Sequence, residues 1–248
     1  GPIPFPLLHV DTGFKFPEMY AFREKAMREA GAQLFIYRNE NAIEARTNPW
    51  DLGTQKCCGL LKTKGLLGAL EHYRFQAAMG AARRDEEKSR AKERVFSFRD
   101  AYGQWDPKNQ RPEIWDHLNG QILENQSMRV FPMSNWTEHD IWNYILRENI
   151  DVVPLYFAKP RPVIRRGSQW IPYYNGLPLK PDEKVETRLV RYRTLGCFPC
   201  TGAVESAAST VAEIVEEMKT LTHSERITRV IDFDSVASME AKKREGYF

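Results

Sequence analysis

The sequence predicts an α/β fold built on a parallel sheet. Strand, helix, strand, helix and strand patterns succeed one another before residue 80, the alternation that makes a parallel sheet with helical crossovers. Hydrophobic residues are 42% and charged residues 28% of 248, a globular balance that gives no sign of disorder. The longest apolar runs fall far short of the roughly 20 residues that span a bilayer, and Gly1–Val10 lacks the charged start of a signal peptide. A cytoplasmic chain of one large domain, or of one domain plus an appendage, is expected.

Pro4–Val10 reads as a short buried strand that ends in the turn residues Asp11, Thr12 and Gly13. Pro17 suits a first helical position, Met19, Phe22, Ala26, Met27 and Ala30 recur at helical spacing, and Gly31 fits the stop. Leu34–Tyr37 is a second strand, Leu60–His72 a second helix and Phe75–Gly80 a third strand. Met128–Met133 is a further strand. Thr137 with Asp140 opens a helix over Glu138–Arg147, and Thr210 with Glu213 forms a capping box before Val211, Ile214, Val215 and Met218. The proline-rich stretch Lys159–Glu186 reads as irregular. The expected division is an α/β domain over 1–158, an irregular insertion over 159–187, and a C-terminal part over 188–248 that ends in a basic tail. No internal repeat is visible.

Parallel sheets bind ligands outside the carboxyl ends of their strands. Asp11-Thr12-Gly13 and the run from Gly80 to Arg94 both follow strands and are the expected places for chemistry. Arg83–Arg94 holds six cations and four carboxylates in twelve residues. Arginine forks match phosphate and sulfate oxygens; a solvated helix face laced with i,i+4 pairs would have the same composition. Asp11 could accept from ribose hydroxyls or simply close an Asx-turn. Arg188, Arg191 and Arg193, with Thr201 and Gly202, could supply anion contacts or guard an edge strand. Cys57-Cys58 and Cys197-x-x-Cys200 supply four thiols, the donor set of a zinc or iron–sulfur site, with four unconnected thiols as the alternative. The first pair is expected just before a helix, where the helix N-terminus favours thiolate. The net charge of +3, from 36 basic and 33 acidic residues, is too balanced for a nucleic-acid surface.

Read together, Pro6–Gly13, Ala81–Arg94, Trp105-Asp106-Pro107-Lys108-Asn109-Gln110-Arg111-Pro112-Glu113, Ser134–Glu138 and the terminal Arg244-Glu245-Gly246-Tyr247-Phe248 closely resemble the small subunits of the bacterial GTP-coupled ATP sulfurylases. The resemblance runs the length of the chain. It implies a Rossmann-like PP-loop ATP pyrophosphatase domain with a C-terminal extension, related to the adenylyl-sulfate and phosphoadenylyl-sulfate reductases. It implies a cytoplasmic enzyme that makes adenylyl sulfate and pyrophosphate from ATP and sulfate, with Mg²⁺ on the nucleotides. The implied partner is the GTPase large subunit of ATP sulfurylase, with no membrane or nucleic acid involved. On this reading Arg83, Arg84 and Arg90 stabilise the pentavalent phosphorus. Asp11, Thr12 and Gly13 position the nucleoside, Lys88, Lys92 and Arg94 meet sulfate or pyrophosphate, and His9, Gly80, Ser89, Arg191, Arg193, Thr201 and Gly202 complete the substrate-binding set.

The family's Ser-Gly-Gly-x-Asp-Ser-like pyrophosphate loop does not occur in this sequence and is expected upstream of Gly1, because a parallel sheet without its central strand exposes unpaired edges. Cys57, Cys58, Cys197 and Cys200 are similar to the pairs that hold a [4Fe–4S] cluster in the related assimilatory reductases. Those relatives also carry a nucleophilic cysteine near the C-terminus, and Met239–Phe248 has none. A reductase of adenylyl sulfate and a non-catalytic nucleotide-binding subunit are the alternatives.

Overall fold

The computed structural model describes residues 3–86, 90–174 and 176–221. Strand β1 (Leu7–Val10) pairs in parallel with β2 (Leu34–Tyr37), Leu7 opposite Leu34 and Val10 opposite Tyr37. The crossover between them is α1 (Pro17–Ala30). It starts on Pro17 at its first turn and stops at Gly31, which takes the left-handed conformation (φ 58°).

Short helices α2 (Glu40–Glu44), α3 (Pro49–Leu52) and α4 (Thr54–Cys58) follow. A π-turn over Gly59–Thr63 joins α4 to α5 (Lys64–His72). The helix expected from Leu60 therefore begins six residues earlier, and Cys57-Cys58 lie at the end of its first segment rather than ahead of it. A β-carbon on Gly65 would come within 2.9 Å of Val10 Cγ1, and one on Gly68 within 2.6 Å of Tyr37 Oη. These two glycines let α5 lie directly on β1 and β2.

Strand β3 (Ala77–Met79) pairs in parallel with β5 (Ser127–Val130), and β4 (Phe96–Arg99) runs antiparallel on the other side of β5. β4 was not anticipated. Among the described residues, β1 and β3 each have one strand neighbour. Residues of both strands line one apolar groove of about 390 Å³, with Leu7, Leu8 and Val10 on one wall and Ala77, Ala78 and Met79 on the other.

Helix α6 (Glu138–Glu148) opens on the expected box: Thr137 Oγ1 accepts from Asp140 N (3.1 Å), and Thr137 N donates to Asp140 Oδ2 (2.8 Å). The stretch expected to be irregular instead carries β6 (Lys159–Arg166), β7 (Gln169–Pro172) and the start of β8 (Glu186–Arg191). With β9 (Val204–Glu205) they form an antiparallel sheet in the order β7-β6-β8-β9. Pro162 is tolerated because its carbonyl still accepts from Tyr173 N (3.0 Å) while its ring nitrogen needs no partner. This sheet carries much of the core: Val163, Ile164, Ile171, Val190 and Tyr192 pack with Phe16 and Phe198. The last described helix, α7 (Val211–Met218), buries Ile214, Val215 and Met218 against Trp142 of α6.

Candidate functional site

Asp11, Thr12 and Gly13 follow the carboxyl end of β1, and the run from Gly80 follows that of β3. Asp11 follows β1 and is 1% exposed. Its Oδ1 accepts from Gly13 N (3.0 Å) and Tyr20 Oη (2.7 Å), and its Oδ2 accepts from Arg38 Nε (3.0 Å) and Nη2 (2.6 Å). Burial pushes its carboxyl upward, but the bonds from Tyr20, Gly13 and Arg38 outweigh it and hold the pKa at about 2. Asp11 thus closes the turn and clamps Arg38, and Arg38 and Tyr20 are site residues that the sequence reading missed. Gly13 needs its positive φ of 76°. His9 accepts from Arg23 through Nδ1. Burial, then Arg23, lowers its pKa to about 4, so the ring is neutral at pH 7.

Gly80 extends the β3–β5 pairing, its N–H donating to Val130 O (2.9 Å). Beyond it, the charged run folds on itself. Arg83 Nε donates to Asp85 Oδ1 (3.1 Å), and Arg90 Nε pairs with Glu86 Oε2 (2.9 Å). The Arg83 and Arg90 side chains are 10% and 9% exposed; that of Arg84 is 33% exposed. Arg84 is held by its backbone N–H on Ser134 O (2.9 Å) and its Nε on Glu93 O (3.1 Å), with Glu113 Oε2 3.5 Å from Nη2. Its Nη1 has no partner among the described residues. Of the three arginines expected at the phosphorus, Arg84 is therefore the one presented outward. Lys92 is exposed and Arg94 half-buried. Lys88 and Ser89 lie outside the described residues, as does the tail from residue 222.

The turn is tied to α6, where Asp85 Oδ2 accepts from Glu138 N (3.0 Å). Glu138 in turn binds Arg193 Nη2 (2.6 Å). Arg191 is fully buried against Glu217 (2.6 Å). Both arginines hold the C-terminal part to helices. Thr201 Oγ1 accepts from Gly196 N (3.1 Å) and donates to Cys197 O (3.0 Å), closing the Cys-x-x-Cys turn, and Gly202 is buried beside it.

That turn reaches the β1 end, with Thr12 Oγ1 3.1 Å from Cys197 Sγ and Phe198 N donating to Phe14 O (2.8 Å). All four cysteines are buried and free, and all four line one narrow pocket with Thr12 and Phe14. Burial, with Cys58 and Cys197 beside it, pushes the Cys57 thiol up to about 12, and a hydrogen bond with Cys58, followed by burial, raises Cys200 further. The thiolate expected of Cys57 is thus corrected: the pair sits inside a helical run in dry surroundings and not at an exposed helix start. Among the described residues, no three His, Cys, Asp or Glu side chains are arranged to hold a metal ion.

The family profile described as phosphoadenosine phosphosulfate reductase domain matches residues 2–203. Sulfate adenylyltransferase subunit 2 of Serratia proteamaculans is 55% identical over 249 residues, covering 100% of this chain and 82% of that protein. The proteins of the same name from Erwinia tasmaniensis and Escherichia coli are each 56% identical with the same coverage. This chain belongs to the sulfate adenylyltransferase subunit 2 family. The family's members are nucleotidyltransferases, and its phosphoadenosine phosphosulfate reductase-type α/β fold agrees with the parallel strand pairs described above. Phosphoadenylyl-sulfate reductase from Candida auris, solved with phosphate, overlaps at a TM-score of 0.41 with 17% identity, over 61% of this chain and 64% of that one. The name subunit 2 says that the relatives work with a partner subunit. Among the described residues no helix is long and apolar enough to cross a membrane.

Proposed function

We propose that this chain transfers the adenylyl group of ATP to sulfate. A sulfate oxygen attacks the α-phosphorus, a sulfur–oxygen–phosphorus link forms, the bond to the β-phosphate oxygen breaks, and pyrophosphate leaves. The reaction needs no protein nucleophile, so positioning and charge neutralisation dominate. The observation that carries the reading is Arg84, pinned by Ser134 and Glu93 at the carboxyl end of the sheet with an open guanidinium nitrogen. Arg83 and Arg90 supply positive field from within their ion pairs. Mg²⁺ would accompany the nucleotide phosphates. The groove lined by Leu7, Leu8, Val10, Ala77, Ala78 and Met79 is the proposed seat of the strand that the family resemblance places ahead of the pyrophosphate loop.

The partner is proposed to be a GTPase large subunit whose hydrolysis drives the unfavourable adenylylation. Its docking surface is assigned to residues 102–123. The four most exposed large apolar side chains among the described residues, Trp115 (87%), Tyr102 (82%), Leu123 (60%) and Ile114 (56%), all lie there.

The test is adenylyl sulfate formation by the full-length native protein with its partner and GTP. Replacing Arg84 with Ala should lower turnover about 100-fold, the scale of losing one preorganised charge contact; unchanged turnover would remove Arg84 from the site.

A second reading is favoured by the gathering of Cys58, Cys197 and Cys200 in one buried cluster. The donor set suits an iron–sulfur cluster in chemistry, although among the described residues no three of the side chains are arranged to hold a metal ion. Iron and acid-labile sulfide analysis of anaerobically purified protein decides whether a cluster is held. Thioredoxin-dependent sulfite release decides whether the chain is a reductase.

A further inference from the structure

We infer that Arg99 is a positioning residue for Arg84, acting through Ser97 and Glu93; this rests on the role given to Arg84 above. In β4, Ser97 and Arg99 are two residues apart and so share a face, and the register sets Ser97 opposite Arg129. Ser97 and Arg99 are 0% exposed. Arg99 Nη1 donates to Ser97 Oγ (2.6 Å) and to Phe98 O (3.3 Å). Ser97 Oγ donates to Glu93 Oε1, and the same carboxylate oxygen lies 3.6 Å from Arg99 Nη1. Glu93 is 2% exposed, and its backbone carbonyl is the acceptor for Arg84 Nε (3.1 Å). The chain of contacts thus runs from the sheet interior to Arg84, the outward one of Arg83, Arg84 and Arg90.

This placement is costly as plain packing. Arg99 Nε and Nη2 are buried with no hydrogen-bond partner among the described residues. An apolar residue of similar volume would avoid that desolvation, and exchanges of buried charge for hydrophobe are often neutral or stabilising. What the guanidinium provides is an ion pair and a hydroxyl bridge that fix Glu93 in one place. Glu93 then fixes where Arg84 points. A flexible arginine on an exposed loop loses side-chain entropy each time it meets an oxyanion; one whose Nε is already bound to a fixed carbonyl has lost much of it beforehand.

The experiment is a double-mutant cycle on the full-length protein with its partner subunit, reading kcat and KM for ATP in adenylyl sulfate formation. Ser97→Ala is the mild variant and carries the test if Arg99→Met fails to fold. Ser97→Ala should lower kcat about tenfold with KM within about twofold, the pattern of an interaction made in the transition state. In an Arg84→Ala background, adding Ser97→Ala should change kcat by less than about twofold, since the residue it positions is gone. The inference is overturned if Ser97→Ala keeps wild-type kcat, or if it costs the same factor in both backgrounds, which is the behaviour of a merely structural residue. If Arg84→Ala alone keeps full turnover, the role of Arg84 fails first and is seen to fail separately.

Discussion

Asp11 and His9 are two residues apart at the end of β1, and both have folded-state pKa values below their ordinary ones, to about 2 and about 4. A group that binds its proton less well when folded favours folding above its unfolded pKa, and that contribution is lost as pH falls through the folded value. For His9 the window runs from about pH 6.5 down to about 4; for Asp11 it runs from about 4 to about 2. Urea midpoints of the wild type should therefore fall as pH drops from 7 to 4. The slope is at most about 1.4 kcal/mol per pH unit for one proton, and less here because His9 is partly exposed. His9→Gln, which keeps an acceptor for Arg23 but cannot titrate, should flatten that limb; equal slopes in the two proteins would count against it. Cys57 gives the opposite sign. Burial raises Cys57 to about 12, and the thiolate is the reactive form. Iodoacetamide at pH 8 should leave all four thiols unmodified in the native protein and label them on unfolding, whereas rapid native labelling of Cys57 would refute the assignment.

Helix α7 shows how local chemistry becomes an element. Thr210 Oγ1 accepts from Glu213 N (3.2 Å), Glu213 Oε2 accepts from Thr210 N (3.1 Å), and Ile214 beyond them is fully buried on Trp142. Thr210→Ala should cost about 1 kcal/mol and Ile214→Ala about 2–5 kcal/mol in urea unfolding; a smaller loss for Ile214 than for Thr210 would mean that α7 is not packed as described. Both capping boxes and the Pro17–Gly31 helix were legible in sequence because every residue that decides them lies within a few positions. β4 was not legible. Its partner β5 is about thirty residues away, and its outer edge is closed by side chains instead of a strand: Glu113 accepts from Val95 and Phe96 N–H, and Gln110 bonds Phe98 on both sides. β6 was hidden by Pro160, Pro162 and its arginines, since its Val163-Ile164 core segment is too short to show alternation. At the site, the positions after strands were readable. The identity of the outward arginine was not, because Arg83, Arg84 and Arg90 differ only in which carboxylates the fold sets beside them.

For the whole molecule, the segment after β4 holds a prediction that separates stability from assembly. It is firmly stapled: besides Glu113 and Gln110, Arg111 Nη1 donates to Gln121 O (2.5 Å) and its guanidinium lies 4.1 Å from the centre of the Phe98 ring. On this fixed base Trp115 stands 87% exposed with a left-handed backbone, φ 52°. A non-glycine residue there costs about 1–2 kcal/mol, and an exposed indole recovers none of it through packing in the free chain. A partner that buries the indole would recover it, and tryptophan is among the residues that dominate interfaces. Trp115→Gly should therefore leave the isolated chain as stable as the wild type or more stable by about 1 kcal/mol, because glycine adopts that conformation freely. The same change should weaken association with the partner subunit at least tenfold, equivalent to about 1.4 kcal/mol or more. Urea unfolding of the free chain and calorimetric titration with the purified partner measure the two effects separately. A loss of stability without a loss of affinity would place Trp115 in the fold and move the interface elsewhere.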